Sequence, residues 1–262
     1  MTTAATGPGC PVDESFDPLS PEFLADPYAV MARRSAGRAP VFFAPPIGYY
    51  VVTSYDAVEQ VFRDPATYSA AVAQAPLAPI VPEAQQILLA GGHKPQPSMV
   101  SLDEPEHARL RKPAARAFSM KRVTAMIPAI EATTARLLDA VGDPPEFDLV
   151  AALAFPLPAN IVFSLIGVPA EDYARLKQWD ETAFDRPDEF DMHRTDAERH
   201  LAFGKGLHYC LGANLGKLEA QIAVTELARR YPQLRLAPDQ CLTFHPNISF
   251  RGPQVLTVQT RP

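Results

Sequence analysis

Phe203-Gly204-Lys205-Gly206-Leu207-His208-Tyr209-Cys210-Leu211-Gly212 places a pair of glycines, a histidine and a cysteine directly ahead of a long amphipathic stretch. Each residue type has physical work to do there. Gly204 and Gly206 accept positive φ without a Cβ penalty, so the backbone can turn sharply and approach a flat ligand closely. Cys210 falls at the start of the expected helix, where unpaired N–H groups and the helix dipole favour a thiolate and tune its donation to a metal. His208 can hydrogen-bond a carboxylate, and Phe203 can pack beside the sulfur and exclude water.

Downstream, apolar residues at Leu211, Leu215, Leu218 and Ile222 recur at helical spacing and predict a helix from about Leu211 to Arg230, while Leu242 to Gln259 alternates like paired strands. Upstream, Glu104 onward turns helical, with His107, Arg111 and Ala114/Ala115 on one face. Val123 to Ala140 predicts an amphipathic helix and Leu149 to Ala170 a buried one. Glu171 to Trp179 predicts a short amphipathic piece, and Thr182 to Arg199 an irregular one. Near the start, Pro21 to Arg34 predicts a short helix whose second half begins at Asp26-Pro27. Val41-Phe42-Phe43 and Tyr49-Tyr50-Val51-Val52 predict a hairpin, and Thr53-Ser54-Tyr55-Asp56 a cap that launches a helix through Phe62. Ala70 to Val100 predicts a long loop rich in Ala and Pro. Together these predict one mainly α domain with small β-sheets over residues 1–262.

Composition narrows the function. The chain of 262 residues is 47% hydrophobic, enough for a real core, and 28 prolines are about twice the usual share of roughly 5%. A net charge of -6 and pI near 5.5 supply no general basic field, so nucleic acid is not an expected partner. Cys10, Cys210 and Cys241 are odd in number and widely spaced, which argues against a disulfide framework or a structural zinc site. The opening residues lack a basic start and an apolar run, and the most apolar stretch is broken by Pro156, Pro158 and Asn160. The sequence therefore predicts a cytoplasmic protein with no membrane partner.

The loop FGKGLHYCLG resembles the heme-binding pattern of the cytochrome P450 family, soluble bacterial type, at every constrained position. Leu102-Asp103-Glu104-Pro105-Glu106-His107-Ala108-Arg109-Leu110-Arg111 looks like the family's helix C, and Phe184 to Asp191 like its meander. The resemblance implies heme b, iron protoporphyrin IX, with Cys210 as axial iron ligand. Phe203, Gly204, Gly206 and Gly212 shape the loop, and His107, Arg111 and His208 reach the propionates. A His and an Arg at i,i+4 share a helix face, and a guanidinium can hold a carboxylate with paired hydrogen bonds.

The same resemblance marks a gap. The sequence passes from Glu171 to Asp180 almost directly into Phe184, where the family carries a long distal helix with an acid-alcohol pair and a Glu-x-x-Arg helix. Glu106-x-x-Arg109 and Glu226-x-x-Arg229 have that spacing in the wrong places. The expectation is a cytochrome P450-like fold internally truncated near 180–183. Its function is that of a heme-thiolate monooxygenase acting on a small apolar substrate, with electrons from a ferredoxin-type donor that docks on Arg109, Lys112 and Arg116. The alternative is a catalytically incompetent heme-binding fragment. Leu77, Ile80, Leu88 and Leu89 fall where the family lines its pocket.

Overall fold

The computed structural model describes residues 9–35, 39–75, 98–166, 200–245 and 252–261, with isolated positions between 82 and 90. The expected meander, the piece from Glu171 to Trp179, the irregular stretch from Thr182, the truncation near 180–183 and the loop residues Leu77, Ile80, Leu88 and Leu89 lie outside them. The described chain divides into two compact units, residues 1–113 with Phe203–Tyr209, and Ala114–Ala202 with residues 210–262.

In the first unit, α1 (Pro21–Ala25) and α2 (Pro27–Ser35) replace the single short helix expected. The Ser20 hydroxyl caps α1 by accepting from Phe23 N at 3.3 Å, and Asp26 Oδ1 accepts from Ala29 N at 3.0 Å to open α2. Strands β1 (Val41–Ala44) and β2 (Tyr49–Val52) form the expected antiparallel hairpin, with Val41 opposite Val52 and Ala44 opposite Tyr49. Gly48 turns it at φ 71°. Buried Phe16, Phe42 and Ala44 form the core, with Phe16 edge-on to Phe23 and Phe42 at centroid distances of 5.6 and 5.3 Å. Ser54 caps α3 (Tyr55–Arg63), accepting from Ala57 N at 3.3 Å. Helix α4 (Glu106–Ala117) then carries the expected His107–Arg111 face. Pro113 inside it has no N–H for the Arg109 carbonyl.

The second unit packs α5 (Met120–Ala125), α6 (Ile127–Val141), α7 (Pro156–Ile166) and α8 (Ala213–Arg230) around one apolar cluster. Val123, Ile130, Leu138, Leu153, Leu157, Ile161, Leu215 and Leu227 are its buried members, with Tyr231. Where one helix was expected from Val123 to Ala140, the chain breaks at Met126, because Pro128 in the first turn of α6 cannot donate to the Thr124 carbonyl. Likewise Leu149 to Ala170 is no single helix among the described residues. A π-helical turn at Val150–Ala154 precedes α7, and Pro156 cannot donate to the Ala152 carbonyl.

Strands β3 (Glu146–Asp148), β4 (Arg235–Leu236) and β5 (Thr257–Gln259) form an antiparallel sheet in the order β3-β5-β4. The end of the chain therefore pairs partly as expected. Phe244 bridges Pro253 within the stretch, but β5 pairs with Glu146–Asp148 and Arg235–Leu236 outside it. The Asp148 carboxylate secures this junction by accepting from Val150 N and Leu256 N, each at 3.0 Å. No described helix is long and apolar enough to cross a membrane.

Candidate active site

In the first unit the glycine-rich loop rests on the end of α3. Gly204 and Gly206 both stand at φ 66°, in the left-handed region that favours glycine. A Cβ on Gly206 would lie 2.1 Å from the Phe62 carbonyl oxygen, so no larger residue fits without moving backbone. Lys205 between them forms an ion pair with Glu59 of α3. Gly206–His208 then make a single 3₁₀ turn, closed by Tyr209 N donating to Gly206 O at 3.2 Å.

That turn sets the His208 ring against His107 of α4, with centroids 4.4 Å apart and planes tilted by 53°. His107 is 0% exposed, and its Nδ1 lies 3.3 Å from Glu104 Oε1. The Nε2 atoms of both histidines are buried and have no hydrogen-bond partner. Unpartnered buried nitrogens cost free energy that a polar ligand would recover. Burial, then the neighbouring His107 and the Arg111 guanidinium, hold the His208 imidazole below its ordinary pKa, which favours its neutral form. Arg111 donates from Nη2 to the Tyr209 carbonyl and so ties α4 to the loop, while its guanidinium has other N–H groups to offer.

Asp103 anchors the entry to α4. Its Oδ1 accepts from Ala70 N at 2.9 Å, its Oδ2 accepts from the Ser69 hydroxyl, and its backbone carbonyl accepts from His107 N at 2.9 Å. The Ser69 hydroxyl first, then the Ala70 amide, hold the Asp103 carboxyl below its usual value.

In the second unit, Cys210 carries a free, half-buried thiol. Gly212 caps α8 by position, so Cys210 lies two residues before the cap rather than in the first helical turn. Its carbonyl accepts from Ala213 N at 3.4 Å. A Cβ on Gly212 would meet Phe118 Cε1 at 3.8 Å and Cys210 Sγ at 4.0 Å, so glycine leaves the space beside the sulfur open. Phe203 is half-buried in the first unit.

The site residues expected from sequence thus fall in a set in the first unit, His107, Arg111, Phe203, Gly204, Gly206 and His208, and a pair in the second, Cys210 and Gly212. The residue types fit heme: a free thiol for iron, and the buried His107 imidazole, the half-buried His208 imidazole and a guanidinium for carboxylates. Sequence reading missed Glu219. It is only 4% exposed on α8, its Oε1 has no hydrogen-bond partner, and burial pushes its carboxyl up to about 7. The available signal was a charge within the Leu215–Leu218–Ile222 stripe.

Glu226-x-x-Arg229 forms a local ion pair on α8, at 2.8 and 2.7 Å. Arg230 links the same carboxylate to Asp139 of α6, at 2.7 and 2.5 Å. Hydrogen bonds from Arg229 and Arg230 push the Glu226 carboxyl down to about 2.

The sequence model for cytochrome P450 matches residues 177–250. The nocardicin C N-oxygenase of Nocardia uniformis subsp. tsuyamanensis is 45% identical over 91 residues, 34% of this chain and 22% of that protein. The cytochrome P450 monooxygenase PikC of Streptomyces venezuelae is 34% identical over 176 residues, 65% of this chain and 39% of that protein. The chain therefore spans well under half the length of these curated relatives. Among solved structures, the P450 heme domain of Tepidiphilus thermophilus matches with a TM-score of 0.81 at 22% identity, covering 94% of this chain and 96% of that one. That likeness establishes the fold.

Proposed function

We propose that this chain, a member of the cytochrome P450 family whose cofactor is heme b, is a monooxygenase that binds heme through Cys210. The observation that carries the reading is the free Cys210 thiol at the end of a loop whose glycine conformations fit the heme-binding pattern. When bound, heme activates dioxygen, so that one oxygen atom enters a C–H bond and the other leaves as water, using two electrons and two protons.

The chain's own residues have separable roles. Cys210 Sγ ligates iron as the thiolate. His107, His208 and Arg111 would hold the propionates, a role supported by the buried, unpartnered Nε2 atoms of both histidines. Gly204 and Gly206 seat the loop against α3, and Gly212 leaves the space beside the sulfur free of a side chain.

The substrate class is a small apolar organic molecule, and the electrons come from a separate ferredoxin-type donor. Arg109 and Lys112, exposed and three residues apart on α4, and Arg116, exposed on the same helix, offer positive charge to an acidic partner. A second reading, heme binding without turnover, is favoured by the sequence passing from Asp180 to Phe184 through only three residues, where the family carries a long distal helix.

The test is reconstitution with hemin, a ferredoxin, its reductase and NADPH under isotopically labelled dioxygen, with a panel of apolar substrates. Label in an organic product supports oxygen insertion. Electron consumption that yields only peroxide or water overturns it in favour of the second reading.

A further inference from the structure

The last turn of α3 meets the glycine-rich loop at consecutive positions. A Cβ on Gly204 would touch Phe62 Cε1 at 3.9 Å, Lys205 pairs with Glu59, and Gly206 lies against the Phe62 carbonyl. The Glu59 carboxylate also receives Arg63 at 3.2 Å. Lys205 and Glu59 are 35% and 21% exposed and stand 146 residues apart in sequence.

A Gly-Lys-Gly segment has the greatest backbone freedom where a receiving loop most needs order, because glycine loses more conformational entropy on folding than any other residue. A side-chain tether on the residue between the glycines restricts both torsions at once. Preordering a loop reduces the entropy lost when a ligand binds. The next turn sets the His208 ring on His107, so an untethered loop would also release that imidazole.

We infer that Glu59 is a positioning residue for the heme-receiving loop: by holding Lys205 it fixes the Gly204 and Gly206 turns and, through them, His208. The role rests on the proposal that this loop receives heme. Glu59 touches the loop and is assigned no contact with the cofactor.

The test compares wild type, Glu59→Lys and the charge swap Glu59→Lys/Lys205→Glu, all as the full chain. The readouts are amide hydrogen exchange at Tyr209 in the heme-free protein and the dissociation constant for hemin. Glu59→Lys is expected to speed Tyr209 exchange and weaken hemin binding, each about tenfold, and the swap to restore both to within about threefold. Rescue by the swap is the outcome that mere loss of a packing contact would not produce. Wild-type values in Glu59→Lys, or a swap that fails to restore them, overturn the role. If Glu59→Lys does not fold, Glu59→Gln is expected to shift both readouts about threefold, and no shift in it overturns the role. Should wild type bind no hemin, the heme reading fails by itself, and the exchange data still decide whether Glu59 orders the loop.

Discussion

Glu219→Gln is expected to stabilise the protein in neutral solution and to change it little in acid. The Glu219 carboxyl is 4% exposed, its Oε1 has no hydrogen-bond partner, and burial raises it from an ordinary 4.5 to about 7. Between those values the folded protein keeps the proton and the unfolded chain releases it. The folded state then binds more protons, so the unfolding free energy falls as pH rises through the window and levels off above it. At about 1.4 kcal/mol per unit, the interval from 4.5 to about 7 corresponds to about 3 kcal/mol lost. Glutamine matches the shape and does not ionise, so the variant lacks this loss. Urea unfolding of both proteins from about pH 4.5 to about pH 8 should give curves that nearly coincide at the acid end and separate by about 3 kcal/mol at the other, with the variant ahead. A difference that stays constant with pH would refute the reasoning.

Other outcomes follow from the loop and the paired imidazoles. Gly204→Ala and Gly206→Ala share a φ of 66°, which costs a non-glycine residue about 1 kcal/mol or more. Only Gly206→Ala also drives a Cβ to 2.1 Å from the Phe62 oxygen, so it should lose about 2 kcal/mol more in urea unfolding, and equal losses would contradict the seating on α3. His208 in the heme-free protein should titrate below its ordinary 6.5, followed by its imidazole proton resonances, because burial, His107 and Arg111 disfavour its charge. A neighbouring carboxylate favours that charge, so loading with hemin should raise the His208 pKa, and a pKa unmoved by hemin would speak against a propionate contact.

Much of the site is readable because its constraints are local. The glycines, His208 and Cys210 lie within one decapeptide, and His107 and Arg111 share a face of α4 by spacing alone. The hairpin of β1 and β2 and the Ser54 cap are local in the same sense. What escaped depends on tertiary partners. Nothing near Thr257–Gln259 reveals that its partners are Glu146–Asp148 and Arg235–Leu236. The Lys205–Glu59 pair joins residues whose sequence neighbours give no hint of one another. The breaks at Met126 and Phe155 had a local cause in Pro128 and Pro156, outweighed in the reading by apolar periodicity. The burial of Glu219 is legible as a position in the helix stripe, but the lack of a partner for its Oε1 is a property of the packed core.

The most direct test of the central claim is the absorption spectrum of the hemin-loaded protein, reduced and exposed to carbon monoxide, for wild type and Cys210→Ala. The account predicts a red-shifted, thiolate-type band in wild type that is lost in the variant. A spectrum indifferent to the substitution, or no heme retained by wild type, would contradict it.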